Sequence, residues 1–94
     1  MPIFAGNTSG SIVQAAKNIP SGILTYSIVN KSGGNVNVNV YIIDNNGVDI
    51  SITPLNLLLN SGDSLYSSNG IKVLSGYSIF ITTTGSIDYY FSIE

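Results

Sequence analysis

The sequence predicts an all-β fold: a single antiparallel two-sheet β-sandwich or small jelly roll of seven to eight strands with an N-terminal arm. Three observations carry that reading. Apolar and polar residues alternate with a period of two from Ile23 onward. Turn-forming residues recur roughly every 8 to 12 positions, the spacing of sandwich strands. No segment sustains a helical period. Composition agrees, because Ile (14), Ser (14), Asn (11) and Gly (10) dominate the 94 residues. Ile fits the pleated, half-buried surface of a strand, and Asn, Ser and Gly fit turns.

Residues 1–22 read as an extended arm, because Pro2, Gly6 and Gly10 punctuate a stretch of small polar residues and only Ser11 to Ala16 resembles a weak strand. Residues 23–94 read as the sandwich domain. Leu24, Tyr26 and Ile28 alternate with Thr25 and Ser27 until the turn formers Asn30 to Asn35. Val36, Val38, Val40 and Ile42 then alternate with Asn37, Asn39 and Tyr41, so one face is core and the other is wet. Asn46-Gly47 tolerates positive φ at both central positions of a two-residue hairpin turn. It therefore predicts a reversal into Val48 to Thr53, which Pro54 must end or mark as an edge. Leu55 to Asn60, Leu65 to Ser67 and Ile71 to Leu74 are short extended pieces separated by Ser61-Gly62-Asp63-Ser64 and Ser68-Asn69-Gly70. Tyr77 to Thr84 and Ser86 to Ile93 are the last strands, with Ile79, Ile81, Ile87, Tyr89, Phe91 and Ile93 facing inward.

The residue inventory excludes much chemistry. There is no His, Cys, Arg or Trp, which removes the thiol nucleophile, the imidazole acid/base and ligand, and the phosphate-binding fork. A net charge of −2 from three Lys and five acids lacks the clustered cations that nucleic acid demands. Val40 to Ile43 is the longest apolar run, far short of the ~20 residues of a membrane-spanning helix, and the start has no signal-peptide pattern. The expectation is a soluble chain binding neither nucleic acid nor membrane, with no cofactor, no metal and no catalytic residue. Asp44, Asn46 and Asp49 offer oxygen ligands of the kind Ca²⁺ takes, yet their Gly falls too early for a calcium loop, and a hairpin turn with solvated acids accounts for them. The five acids sit in turns, at outward strand positions or at the terminus, which argues against a paired-carboxylate hydrolase.

Two binding readings survive. Tyr41, Tyr66, Tyr77 and Tyr90 fall outside the core phase and, with the many Asn amides, are suited to a glycan. Alternatively, Ile43, Leu58, Phe80 and Tyr90 are apolar in the outward phase of their strands, which on so weakly charged a domain marks surface covered by another protein or by the arm itself. Ile3, Phe4, Ile12 and Val13 are the apolar residues with which the arm would make such a contact.

The order of features, from the small-polar start through Ile28-Val29-Asn30-Lys31-Ser32-Gly33-Gly34-Asn35-Val36-Asn37-Val38, resembles small virion β-sandwich proteins of tailed bacteriophages, of the capsid auxiliary or decoration type. Leu57-Leu58-Leu59-Asn60-Ser61-Gly62-Asp63-Ser64 is similar to a Gly-Asp-Ser turn of that group. Ile71-Lys72-Val73-Leu74-Ser75-Gly76-Tyr77-Ser78-Ile79 is similar to its Gly-Asp turn, with Tyr77 in place of Asp. The resemblance spans about residues 23 to 94. It implies a non-enzymatic virion protein on the capsid surface, whose partners are the major capsid protein and copies of itself, as in a homotrimer. A small tail or neck component and a carbohydrate-binding adhesion module, with a host glycan as ligand, are the alternatives.

Overall fold

The computed structural model describes residues 2–8, 11–54, 56–67 and 70–94. Leu55 and the Ser68-Asn69 turn, both expected from the sequence, lie outside them, as do the side chains of residues 11–13. Ten strands are present: β1 (Ile3–Thr8), β2 (Ser11–Ala16), β3 (Gly22–Asn30), β4 (Val36–Ile43), β5 (Asp49–Ser51), β6 (Leu57–Leu59), β7 (Ser64–Tyr66), β8 (Ile71–Val73), β9 (Ser78–Thr83) and β10 (Ile87–Ile93). They form two five-stranded antiparallel sheets. Sheet I runs β1-β10-β3-β7 with β8 also on β3, and sheet II runs β2-β9-β4-β5 with β6 also on β4. The all-β sandwich is as predicted, and no helix occurs among the described residues.

The short pieces expected after β4 form β5 to β8 along two interrupted edges, and the strand the sequence did not show is β1. β5 pairs with Tyr41–Ile43 and β6 with Val36–Val38, so both lie along the same flank of β4. Between them stands Pro54, which has no N–H to donate. Thr53 turns inward there, and its hydroxyl accepts the Val40 N–H at 3.0 Å, while Asn39 binds Asn56 through both ends of its amide. β7 and β8 share β3 in the same way, and the Ser67 hydroxyl accepts the Tyr26 N–H at 2.9 Å. A hydroxyl replaces the missing backbone acceptor at both breaks, so the ladder stays satisfied.

The 1–22 segment supplies two strands where the sequence showed one. β1 pairs along β10 and β2 along β9, giving each sheet an edge, and the two strands adjoin on one side of the sandwich. Small residues made Ile3–Thr8 read as irregular, yet their size is what fits. Gly6 lies opposite Tyr89, whose ring occupies the space a Cβ would take, with the phenol oxygen 2.8 Å from that position. Ala16 and Ile19 are buried in the common core. The Asn46-Gly47 reversal also differs from the expected two-residue turn. Gly47 alone has positive φ (79°), its N–H donates to the Asp44 carbonyl, and the Asp44 carboxylate accepts the Asn46 and Val48 N–H groups at 2.9 Å. The side chain of Asp44 thus fixes a three-residue loop closed by a left-handed Gly.

Between the sheets lie Leu24, Ile28, Val73, Ile87, Phe91 and Ile93 of sheet I, facing Val36, Val38, Val40, Ile42, Ile79 and Ile81 of sheet II. Tyr26 and Tyr89 pack on either side of Phe91, with ring centroids 6.0 and 5.7 Å away. Val48 and Ile50 continue the alternation of β5 but remain exposed, because β5 is an edge strand at the end of the sandwich.

At the end of β3 sits the least expected core residue, Asn30, only 1% exposed. Its Nδ2 donates to the carbonyls of Gly34, Leu59 and Asn60 at 2.9 to 3.0 Å, and its Oδ1 accepts the Ser32 N–H and hydroxyl at 2.9 and 2.8 Å. Asn30→Asp replaces the donor with an oxygen aimed at carbonyls, leaving buried acceptors unpaired. It should destabilise the fold by about 3 kcal/mol or more. Chemical denaturation checks this, with a shift of the midpoint to lower denaturant expected.

Candidate functional site

Among the described residues no three His, Cys, Asp or Glu side chains come together and no enclosed pocket is present, so the surfaces available for recognition are the outer faces of the two sheets. Strand alternation dictates what each face carries.

On sheet II, one cross-strand rung reads Gln14, Phe80, Tyr41, Ser51. The Tyr41 and Phe80 rings stack, with centroids 5.4 Å apart and planes inclined by 8°. Ile43, paired with Ser78, extends this apolar centre toward one end. Toward the other come Asn39 and Thr82, and then Leu58, which stands opposite Asn37 and is 56% exposed. Asp49 is the one charged residue among the described strand positions of this face. Burial, together with the charge of nearby Asp49, raises the pKa of the Tyr41 hydroxyl above its ordinary value.

Sheet I presents a face of mixed character, with Ile3, Ile23, Tyr66 and Tyr90 exposed beside serines and threonines. Its central rung reads Ala5, Tyr90, Ser27, Tyr66, with Ile3, Ser92 and Thr25 in the rung beside it. The Thr25 and Ser92 hydroxyls bond at 2.8 Å, and Lys31 Nζ pairs with Asp88 at 2.8 Å.

Residues singled out in the sequence are therefore divided between the faces. Ile43, Phe80 and Leu58 share the outer face of sheet II, and the register sets Ile12 opposite Thr82 there. Ile3 and Tyr90 share the outer face of sheet I. Phe4 lies on neither face: it is paired with Phe91 and packs against the core. Val13 pairs with the buried Ile81. The phase of β4 showed that Tyr41 points out, but its stacking on Phe80 depends on the β4–β9 register, a long-range pairing that alternation does not fix.

No protein-family model and no curated protein matches the sequence. Solved structures do match the fold. The Anabaena sensory rhodopsin transducer aligns with a TM-score of 0.56 at 13% identity over 95% of this chain and 94% of that one. Murine APRIL aligns with a TM-score of 0.56 at 12% identity, over 97% and 98% of the two chains. A chain of the T=1 particles derived from infectious bursal virus aligns with a TM-score of 0.52 at 12% identity, covering 99% of this chain and 30% of that one. At such identities the likeness is one of fold, and that fold occurs in a viral particle.

Inside the sandwich, burial raises the pKa of Tyr26, whose hydroxyl donates to the Ile52 carbonyl at 3.4 Å across the gap between sheets. For Tyr26 and Tyr41 alike the folded state holds the proton more tightly than the unfolded chain. Their contribution is intact below about pH 10 and is lost as pH rises through the folded-state pKa values, because the unfolded state then binds fewer protons. Melting temperatures measured at about pH 8 and about pH 11 should fall toward alkali, and the fall should be smaller in Tyr26→Phe, which has no phenol to ionise.

Proposed function

We propose that this chain is a non-enzymatic structural protein of a tailed-phage virion: an auxiliary protein that sits on the assembled capsid and stabilises it. The observation that carries this reading is the outer face of sheet II. A β-sandwich needs only one apolar face per sheet to fold, yet this sheet adds a stacked Tyr41–Phe80 pair, Ile43 and Leu58 on the second, with a single carboxylate beside them. Burying such a face against protein removes apolar and aromatic area from water and strands almost no charge. The turn sequences that resemble phage virion sandwiches, and the occurrence of the fold in a viral particle, support the same reading.

In this reading the partners are the major capsid protein and sister copies, and repeated weak contacts over the shell sum to firm attachment. Residues 1–22 are the segment proposed to reach the neighbour. Both of their strands are sheet edges, where a neighbour's strand can add, as in β-augmentation.

Quantitative mass spectrometry of gradient-purified particles tests the assignment. A copy number matching the capsomers is expected, whereas a handful of copies would place the chain in the neck or tail, and absence from particles would refute a virion role. Leu58→Asp and Phe80→Asp should each lower particle occupancy at least about tenfold. For Leu58→Asp the free protein's stability should stay within about 0.5 kcal/mol of wild type, because the side chain is more than half exposed. Full occupancy by both variants would exclude this face as the contact.

A further inference from the structure

The outer face of sheet I carries a second constellation that capsid attachment does not use. Ser27 of β3 is flanked on the same rung by Tyr90 of β10 and Tyr66 of β7. Both tyrosines are well exposed, at 45% and 67%. Neighbouring strands lie about 4.8 Å apart, so the two rings rise from strands about 10 Å apart with only a serine between them. The result is an open strip in which two exposed phenol rings flank a serine hydroxyl. The Thr25–Ser92 hydroxyl pair borders it along one strand direction. Asp88 borders it along the other, its carboxylate held by Lys31.

The geometry points to a binding site for a neutral hexopyranose chain. A pyranose ring has an apolar C–H face that packs on an aromatic ring and a rim of hydroxyls that exchange hydrogen bonds with serine, threonine and carboxylate oxygens. The strip supplies both, with Ser27 between the two rings and Thr25 and Ser92 in the rung beside it. Lys31 and Asp88 compensate one another, so the site offers no unpaired charge and suits a neutral ligand. The inference goes beyond the capsid reading and does not depend on it: Tyr66 and Tyr90 lie on the face opposite Tyr41 and Phe80, so a chain attached through sheet II would still present the strip outward.

Titration of the full-length ¹⁵N-labelled protein with maltohexaose, cellohexaose, chitohexaose and mannohexaose tests it by NMR. At least one sugar should shift the amides of Ser27, Tyr66 and Tyr90 while leaving Tyr41 and Phe80 in place. Tyr66→Ala and Tyr90→Ala should each weaken binding at least about tenfold, and Tyr66→Phe, which keeps the ring, should stay within about threefold of wild type. Ser27→Leu, which replaces the hydroxyl between the rings and leaves both tyrosines, should abolish binding, so the result does not hang on the stability of the alanine variants. Absence of shifts at Ser27, Tyr66 and Tyr90 with all four sugars would overturn the inference, as would wild-type affinity in Ser27→Leu. Capsid occupancy of the same variants should be unchanged, which separates this site from the sheet II contact.

Discussion

The Asn30 side chain is a planar amide used at both ends, and the meeting of the two sheets depends on it. β3 belongs to sheet I and β6 to sheet II, and no backbone ladder joins them. Asn30, at the last position of β3, closes that gap by donating to Leu59 and Asn60 at the end of β6 and to Gly34 in the turn that leads to β4. Its own backbone N–H and carbonyl bond Asp63 and Gly62, which brings the start of β7 into the same node. Two amide hydrogens of a sheet I residue, shared among carbonyls at the end of β6 and in the turn to β4, fix the sheets' relative position more tightly than apolar packing, which is non-directional. Such a node suits a chain without disulfides, and its cost of burial is met because every polar atom of the amide has a partner.

The same economy governs the edges. Thr53 and Ser67 each lend a hydroxyl where a strand breaks, so sheet edges can be short and irregular without leaving backbone groups bare. Short, interrupted edges are poor templates for pairing with other chains. The opposite side of the sandwich, formed by β1 and β2, has longer strands, and that is the side proposed to accept a neighbour's strand. The distribution of strand length therefore matches the division between protected and sociable edges.

Much of this was legible in the residues. Alternation placed Val36, Val38, Val40 and Ile42 in the core and Tyr41 and Leu58 outside it, because a period of two is a local property of the chain. Three features were not legible, each for a physical reason. β1 is made of residues with weak strand preference, and it exists because β10 offers a ladder and Tyr89 covers Gly6. Asn30 reads as a turn former and is buried by partners 2 to 30 positions away. The rung that sets Tyr90 and Tyr66 beside Ser27 joins three strands distant in sequence, and register between such strands is decided by the whole fold.

In the proposed role the two faces of one small sandwich do different work, with sheet II turned to the shell and sheet I turned outward. Hydroxyl-radical footprinting of the chain, free and on purified particles, reads that assignment directly. Tyr41 and Phe80 should lose reactivity on the particle while Tyr66 and Tyr90 keep theirs. Unchanged reactivity of Tyr41 and Phe80, with protection at Tyr66 and Tyr90 instead, would contradict it.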